Sequence, residues 1–184
     1  MILIVPVGTI DWEILELIRK FVDDYYSGLG LRAKIGEPLP EDAFRDTYNP
    51  LRDQFLGRGF LTLLSEVRKK RGARAVLGVT SLDLYEEGLN FIFGLAHRGL
   101  GAAIISLYRL RPEFYGGLPN PDLLGLRAVK EAMHELGHVF GLSHCPNVRC
   151  VMHFSNSILD TDLKSPYYCP ECRRKLEENL GVVG

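Results

Sequence analysis

The chain has 184 residues, of which 46% are hydrophobic and 24% charged, with a net charge of −1 at neutral pH. That length suits one domain with a sizeable core, and the balance is ordinary for a soluble globular protein. A charge so near zero gives no electrostatic basis for nucleic acid or an anionic membrane as a partner, and no apolar run reaches the length of a membrane span.

The segment Met1–Gly8 is apolar but short, without a basic n-region or a small-residue cleavage site. It reads as a buried first strand, and a cytoplasmic protein is expected. Residues 2–7 alternate little, as in a strand covered on both faces. A helix is predicted from about Asp11 to Tyr26, with Ile14, Leu17, Ile18, Phe21 and Tyr25 at helical spacing. Gly28 and Gly30 end it. Leu31, Ala33 and Ile35 alternate with polar residues as a second strand. Residues 37–50 carry three prolines and read as a surface loop. A second helix is predicted from about Leu51 to Arg71, interrupted near Gly57 and Gly59. Its end, Arg68-Lys69-Lys70-Arg71, reads as a solvated terminus that complements the helix dipole rather than as a patch for an acidic partner.

Arg74–Thr80 is predicted to be a central strand. Leu89–Ala96 and Ala102–Leu107 follow as two more, joined by a glycine-rich turn in which His97 reads as solvated. This order implies an α+β fold, a mixed sheet with helices on its faces. Residues 110–120 form a loop. Asn120 then has the place of an N-cap, with Pro121 at the first helical position and Asp122 in the first turn. From there to about Phe140, Leu126, Val129, Met133, Leu136 and Phe140 form an apolar stripe.

The C-terminal end of this helix carries His134-Glu135-Leu136-Gly137-His138-Val139-Phe140-Gly141-Leu142-Ser143-His144. His134 and His138, at i and i+4, project from one helical face and can chelate one ion. Gly141 tolerates positive φ, so the chain can turn there and bring His144 back as a third ligand. Three imidazoles leave zinc an open position, the mark of a catalytic site. Glu135 can take a proton from zinc-bound water and later deliver it to a leaving amine, so the reaction class is amide hydrolysis. This eleven-residue pattern would arise by chance in roughly one in tens of thousands of such chains. A zinc held in a protein that cleaves nothing is the competing reading, and Glu135 argues against it.

The four cysteines, Cys145, Cys150, Cys169 and Cys172, all fall in the last quarter of the chain. Without a secretory signal, C-x4-C and C-x2-C pairs suit a four-thiolate zinc site better than disulfides. Buried free thiols or a redox pair are the alternatives. Cys145 is bonded directly to His144, so such a cage would also fix the third histidine.

The extended motif resembles the metzincin clan of zinc metalloproteases. Cys145 directly after the third histidine, then Cys150, Met152 and the Cys169–Cys172 pair, resembles the archaemetzincin family within it. The resemblance implies His134, His138 and His144 as catalytic zinc ligands, Glu135 as general base and Met152 as the methionine of the turn beneath the metal. It also implies a second zinc on the four cysteines, hence two zinc ions per chain. The implied fold is a twisted mixed sheet with an antiparallel edge strand, a long active-site helix and a small zinc-bound C-terminal segment. Residues 1–184 then form one catalytic domain, 1–144 carrying the sheet and active-site helix and 145–184 the turn and the cysteine site. A peptide substrate is expected along the edge strand near Leu89–Ala96, where free backbone groups allow β-augmentation. The expected protein is a monomeric zinc metallopeptidase. The alternative is a zinc-stabilised module that binds peptides without cutting them. Aminopeptidase and endopeptidase stay open, with Glu113, Asp160 and Asp162 as acids that could hold a free amine.

Overall fold

In the computed structural model, which describes residues 1–182, the first strand is β1 (Ile2–Val7). The final two residues of the expected catalytic unit, 183–184, lie outside the described residues. Side chains along β1 enter two cores in alternation, Ile2 and Ile4 on one side and Leu3, Val5 and Val7 on the other. Period-two alternation between two apolar layers explains why the segment has no polar face. The chain continues through α1 (Trp12–Ser27), β2 (Ala33–Ile35), a 3-10 turn (Glu41–Thr47), β3 (Tyr48–Asn49), β4 (Gln54–Leu56) and α2 (Arg58–Lys70). After these come β5 (Ala75–Thr80), β6 (Leu84–Tyr85), β7 (Gly94–His97) and β8 (Ala102–Ser106). The last part holds α3 (Pro121–Val139), α4 (Ile158–Leu163) and α5 (Pro170–Leu180).

The main sheet has the order β2-β1-β5-β8-β7. Its first four strands pair in parallel, and β7 closes one edge antiparallel to β8. Helices α1 and α3 cover one face through Ile14, Ile18, Val22, Ala128, Val129 and Met133. On the other face Phe60 and Leu64 of α2 pack with Phe44, whose ring stacks on Phe60 at 4.3 Å. This is the mixed α+β sheet the sequence implies. Among the described residues no helix is long and apolar enough to cross a membrane.

Three segments depart from the sequence-based expectation. Residues 37–50 are not all loop, since they hold the 3-10 turn and β3. Leu51–Leu56 is not helical. Asp53 sits at φ 52°, a left-handed conformation that an aspartate tolerates but a helix does not. Phe55 N donates to Asp83 O at 2.9 Å, so β4 pairs with β6 in a small second sheet. The edge strand is also shorter than residues 89–96. Ile92 N donates to Leu84 O at 3.0 Å, which draws the lead-in toward the small sheet, and regular pairing with β8 begins only at Gly94. His97 is exposed, and its Nδ1 accepts from Leu100 N at 3.2 Å within the turn.

Helix α3 begins where Asn120 Oδ1 accepts from Leu123 N at 3.1 Å, with Pro121 in its first turn. Leu126 is 43% exposed and leaves the expected stripe. The helix is covered almost all round, including Arg127, Lys130, Glu131, His134 and Glu135. Those positions recur at three- and four-residue steps, so one face of a deeply buried helix is charged. That face meets the C-terminal segment.

Candidate metal centre

His134 and His138 stand one turn apart on α3, with their Nε2 atoms 3.1 Å from each other. Gly141, at φ 92°, ends the helix: its N–H donates to His138 O at 3.0 Å and Leu142 N donates to Gly137 O at 2.9 Å. This left-handed cap turns the chain back. His144 therefore faces the other two imidazoles, with ring centroids 5.5 Å from His134 and 4.8 Å from His138. One ligand atom from each of the three lies within 4.8 Å of the others.

The tautomers are set by the backbone. His134 Nδ1 donates to Val151 O at 2.7 Å and His138 Nδ1 to Leu142 O at 2.8 Å. With hydrogen on Nδ1, the lone pair is on Nε2, which is the atom facing the cluster centre. Burial is the main reason all three imidazoles are held below their usual range, His134 furthest, and the Lys164 ammonium pushes the same way. Neutral rings with converging lone pairs are the donor set a zinc ion takes. The residues present fit that ion.

Glu135 is buried beside this cluster, its Oε1 3.9 Å from His134 Nε2. Burial pushes its carboxyl well above the usual range, Glu131 adds to the shift and Lys164 opposes it. A carboxyl whose proton is held more firmly than usual, beside the imidazoles, has the character of a group that can exchange a proton with a neighbouring water. It lies against the edge strand, where a Cβ on Gly94 would come 2.8 Å from Glu135 Cγ. Glycine there lets β7 approach the Glu135 side chain.

The cysteines form a second cluster, with all four Sγ atoms within 4.8 Å of one another. All four are free, and Cys145 and Cys169 Sγ are 3.9 Å apart, well beyond a disulfide bond. Cys150 Sγ accepts backbone N–H groups from Met152 at 3.4 Å and Cys169 at 3.3 Å. Burial pushes the Cys150 and Cys172 thiols up, while for Cys169 burial is outweighed by hydrogen bonds from the neighbouring cysteines, which bring it down; four sulfurs this close are the donor set of a thiolate metal site. A thiolate-bound zinc fits.

Met152 is fully buried against α3, where a Cβ on Gly137 would collide with its Sδ. Gly137→Ala is therefore expected to destabilise the protein by about 1–3 kcal/mol through overpacking. Urea unfolding checks this, and parent-like stability would show that the turn is free to move away.

The charged face of α3, invisible as a site in the sequence reading, fastens the C-terminal segment. Arg127 makes a two-bond pair with Asp162 at 2.8 Å, and Lys130 Nζ donates to Thr161 O at 3.0 Å. Tyr168 Oη donates to Met133 O at 2.6 Å. Asp162 is thus committed to Arg127, and Asp160 Oδ2 accepts from Asn156 N at 2.9 Å. Neither these two nor Glu113 lines the cavities at the histidines, which corrects their nomination as amine-holding acids. Glu86, Glu131 and Lys164 do line them. In the sequence Arg127, Lys130, Glu131 and His134 share one helical face, but such a charged face reads as solvated until the fold buries it. His153 is not part of the cluster, and its Nδ1 donates to Cys145 O at 2.8 Å.

A sequence model of peptidase family M54 matches residues 2–178. An archaemetzincin of Thermococcus kodakarensis is 58% identical over 183 residues, covering 100% of this chain and 98% of that protein. The crystal structure of archaemetzincin from Methanopyrus kandleri superposes with a TM-score of 0.79 at 38% identity, covering 98% of this chain and 96% of the other. A zinc-dependent peptidase from Methanocorpusculum labreanum gives a TM-score of 0.80 at 28% identity, over 96% and 100% of the two chains.

Proposed function

Because the chain belongs to peptidase family M54, the archaemetzincins, and is a zinc-dependent metallopeptidase, we propose that His134, His138 and His144 hold its catalytic zinc and that Glu135 is its general base. The observation that carries this reading is the convergence of three imidazoles, two of them oriented by backbone carbonyls, beside one buried carboxyl. When bound, zinc supplies Lewis acidity, making water acidic enough to ionise near pH 7 and stabilising negative charge on a carbonyl oxygen. Glu135 accepts the proton of the attacking water and returns it to the leaving amine. The Val151 and Leu142 carbonyls keep His134 and His138 in the tautomer that presents Nε2.

Cys145, Cys150, Cys169 and Cys172 hold a second, structural zinc, so the loaded protein carries two ions per chain. Peptide substrates are its class, and an extended peptide pairs with the free edge of β7, opposite the catalytic histidines. In this reading residues 1–184 form a single catalytic domain that acts as a monomer. Four thiols kept as metal ligands suit a reducing compartment, in keeping with a cytoplasmic protein. Glu86, which lines the histidine cavity, is the acid through which an aminopeptidase could hold a free amine.

Removing zinc with a strong chelator is expected to abolish peptide cleavage, and adding zinc back to restore it. N-blocked and free-amine peptides are tested side by side, and cleavage only of the latter assigns an aminopeptidase. Cleavage that persists in metal-free protein would overturn the assignment.

A further inference from the structure

One wall of the cleft at the histidines is the segment 89–93, which faces α3 across a cavity of about 230 Å3. The two sheets hold only its far end, where Ser106 N donates to Phe93 O at 2.8 Å and Ile92 N to Leu84 O at 3.0 Å. Residues 89–91 are held by side chains instead. Arg52 donates to Leu89 O and, at 3.2 Å, to Asn90 O, which also accepts from Gln54 Nε2 at 2.9 Å. Phe91 is gripped through its ring, with the Arg109 guanidinium 4.5 Å from the centroid.

These grips belong to one chain of bonds. Arg52 Nε donates to Gln54 Oε1 at 2.9 Å, and Gln54 Nε2 donates to Asp83 Oδ2 at 3.1 Å. Arg109 then donates to both Asp83 oxygens at 2.9 Å. Gln54 is buried, and the side chains of Asp83 and Arg109 are only 11% and 22% exposed. Arg52 is backed by the Tyr85 ring, 4.0 Å from its guanidinium. All the polar side-chain atoms of Gln54 and Asp83 have partners, so the relay is rigid.

Resting on the peptidase reading above, we infer that Arg52, Gln54, Asp83 and Arg109 are positioning residues that keep 89–91 where the cleft accepts a peptide. None of the four lines the cavities at the histidines, so they act through the wall. A wall held in one place binds a peptide without first having to be ordered. Released, it samples other positions, and apparent affinity falls with the fraction of time it is receptive. A peptide that does bind restores the wall, so the chemical step stays that of the parent. Loss of the relay therefore raises KM and spares kcat.

Arg52→Ala removes the bonds to Leu89 and Asn90 from an exposed residue, and Gln54→Met removes the middle link while filling the same space. The zinc-loaded proteins are given fluorogenic peptides of alanine, leucine and phenylalanine, one N-acetylated and one with a free amine. KM is expected to rise about tenfold in each variant, as for a wall receptive about a tenth of the time, with kcat within about twofold of the parent. Arg52→Lys, which can reach one carbonyl but not fork between two, falls between. Amide exchange at Leu89 and Ile92 is expected to quicken at least about tenfold while β5 and β8 keep the parent's rates. A merely structural relay would lower the unfolding midpoint and leave KM alone. Unchanged KM, a fall in kcat at constant KM, or unaltered exchange at Leu89 and Ile92 overturns the inference. Should Gln54→Met unfold, Arg52→Ala decides. If the parent cleaves neither peptide, the peptidase reading fails by itself; calorimetric affinity for the same peptides then replaces KM, and exchange still decides the wall.

Discussion

Glu135→Gln is expected to lower kcat for peptide cleavage by about 10²–10⁴-fold, the usual contribution of a general acid–base group. Folding and zinc content are expected to stay those of the parent. Glutamine has the shape of glutamate, so the close approach of Gly94 is kept. The carboxylate makes no hydrogen bond on which the fold depends, its nearest charged or ionisable partner being His134 Nε2 at 3.9 Å. Burial and the neighbouring Glu131 both disfavour its charge, so an uncharged amide is well accommodated. What the amide cannot do is accept a proton. The experiment measures kcat, zinc per chain and the unfolding midpoint for parent and variant. Undiminished kcat with full zinc would remove Glu135 from the mechanism. A loss of zinc alongside a loss of activity would show instead that the carboxyl is needed to assemble the centre.

The parts of this protein that the sequence made legible are those governed by local spacing. Two histidines four apart on a helix, a glycine that ends it and a third histidine three residues later need no tertiary information, and these residues converge in the structure. The same holds for the Asn120 cap and for β1, whose unbroken apolar run reflects a core on each side. What stayed hidden depends on distant partners. Strands β3, β4 and β6 have only two or three residues each, too short for a periodic signal, and are set by pairing with one another. Edge strand β7 begins later than its composition suggests because Ile92 is claimed by Leu84. The polar lining of the cavity was missed for a different reason. Glu131 and Lys164 look like surface residues in a linear reading, and only the fold brings their charges together inside the protein.

Loss of one thiolate carries the largest expected structural effect. Residues 141–182 contain no strand of either sheet, and their helices α4 and α5 have only six and eleven residues. A segment so poor in regular structure has little core of its own, and zinc on the proposed cysteine site would take the place of that core as folding free energy. Cys172→Ser is therefore expected to reduce zinc from two ions per chain to one, destabilise the protein by several kcal/mol and lower its unfolding midpoint by on the order of 10 °C. The effect should reach the catalytic centre by two routes. Cys145 is the neighbour of His144, and its N–H donates to Met152 O at 3.0 Å, tying His144 to the turn that holds Met152. Val151, in that same turn, supplies the carbonyl that orients His134. With the cage open, both supports loosen, and zinc affinity at the histidines should fall by about 10–100-fold, as for loss of an orienting partner elsewhere. Zinc analysis, calorimetric unfolding and chelator competition read the three effects separately. A variant with the parent's midpoint and the parent's resistance to chelation would show that the cysteine cluster holds nothing together and that the histidine site stands by itself.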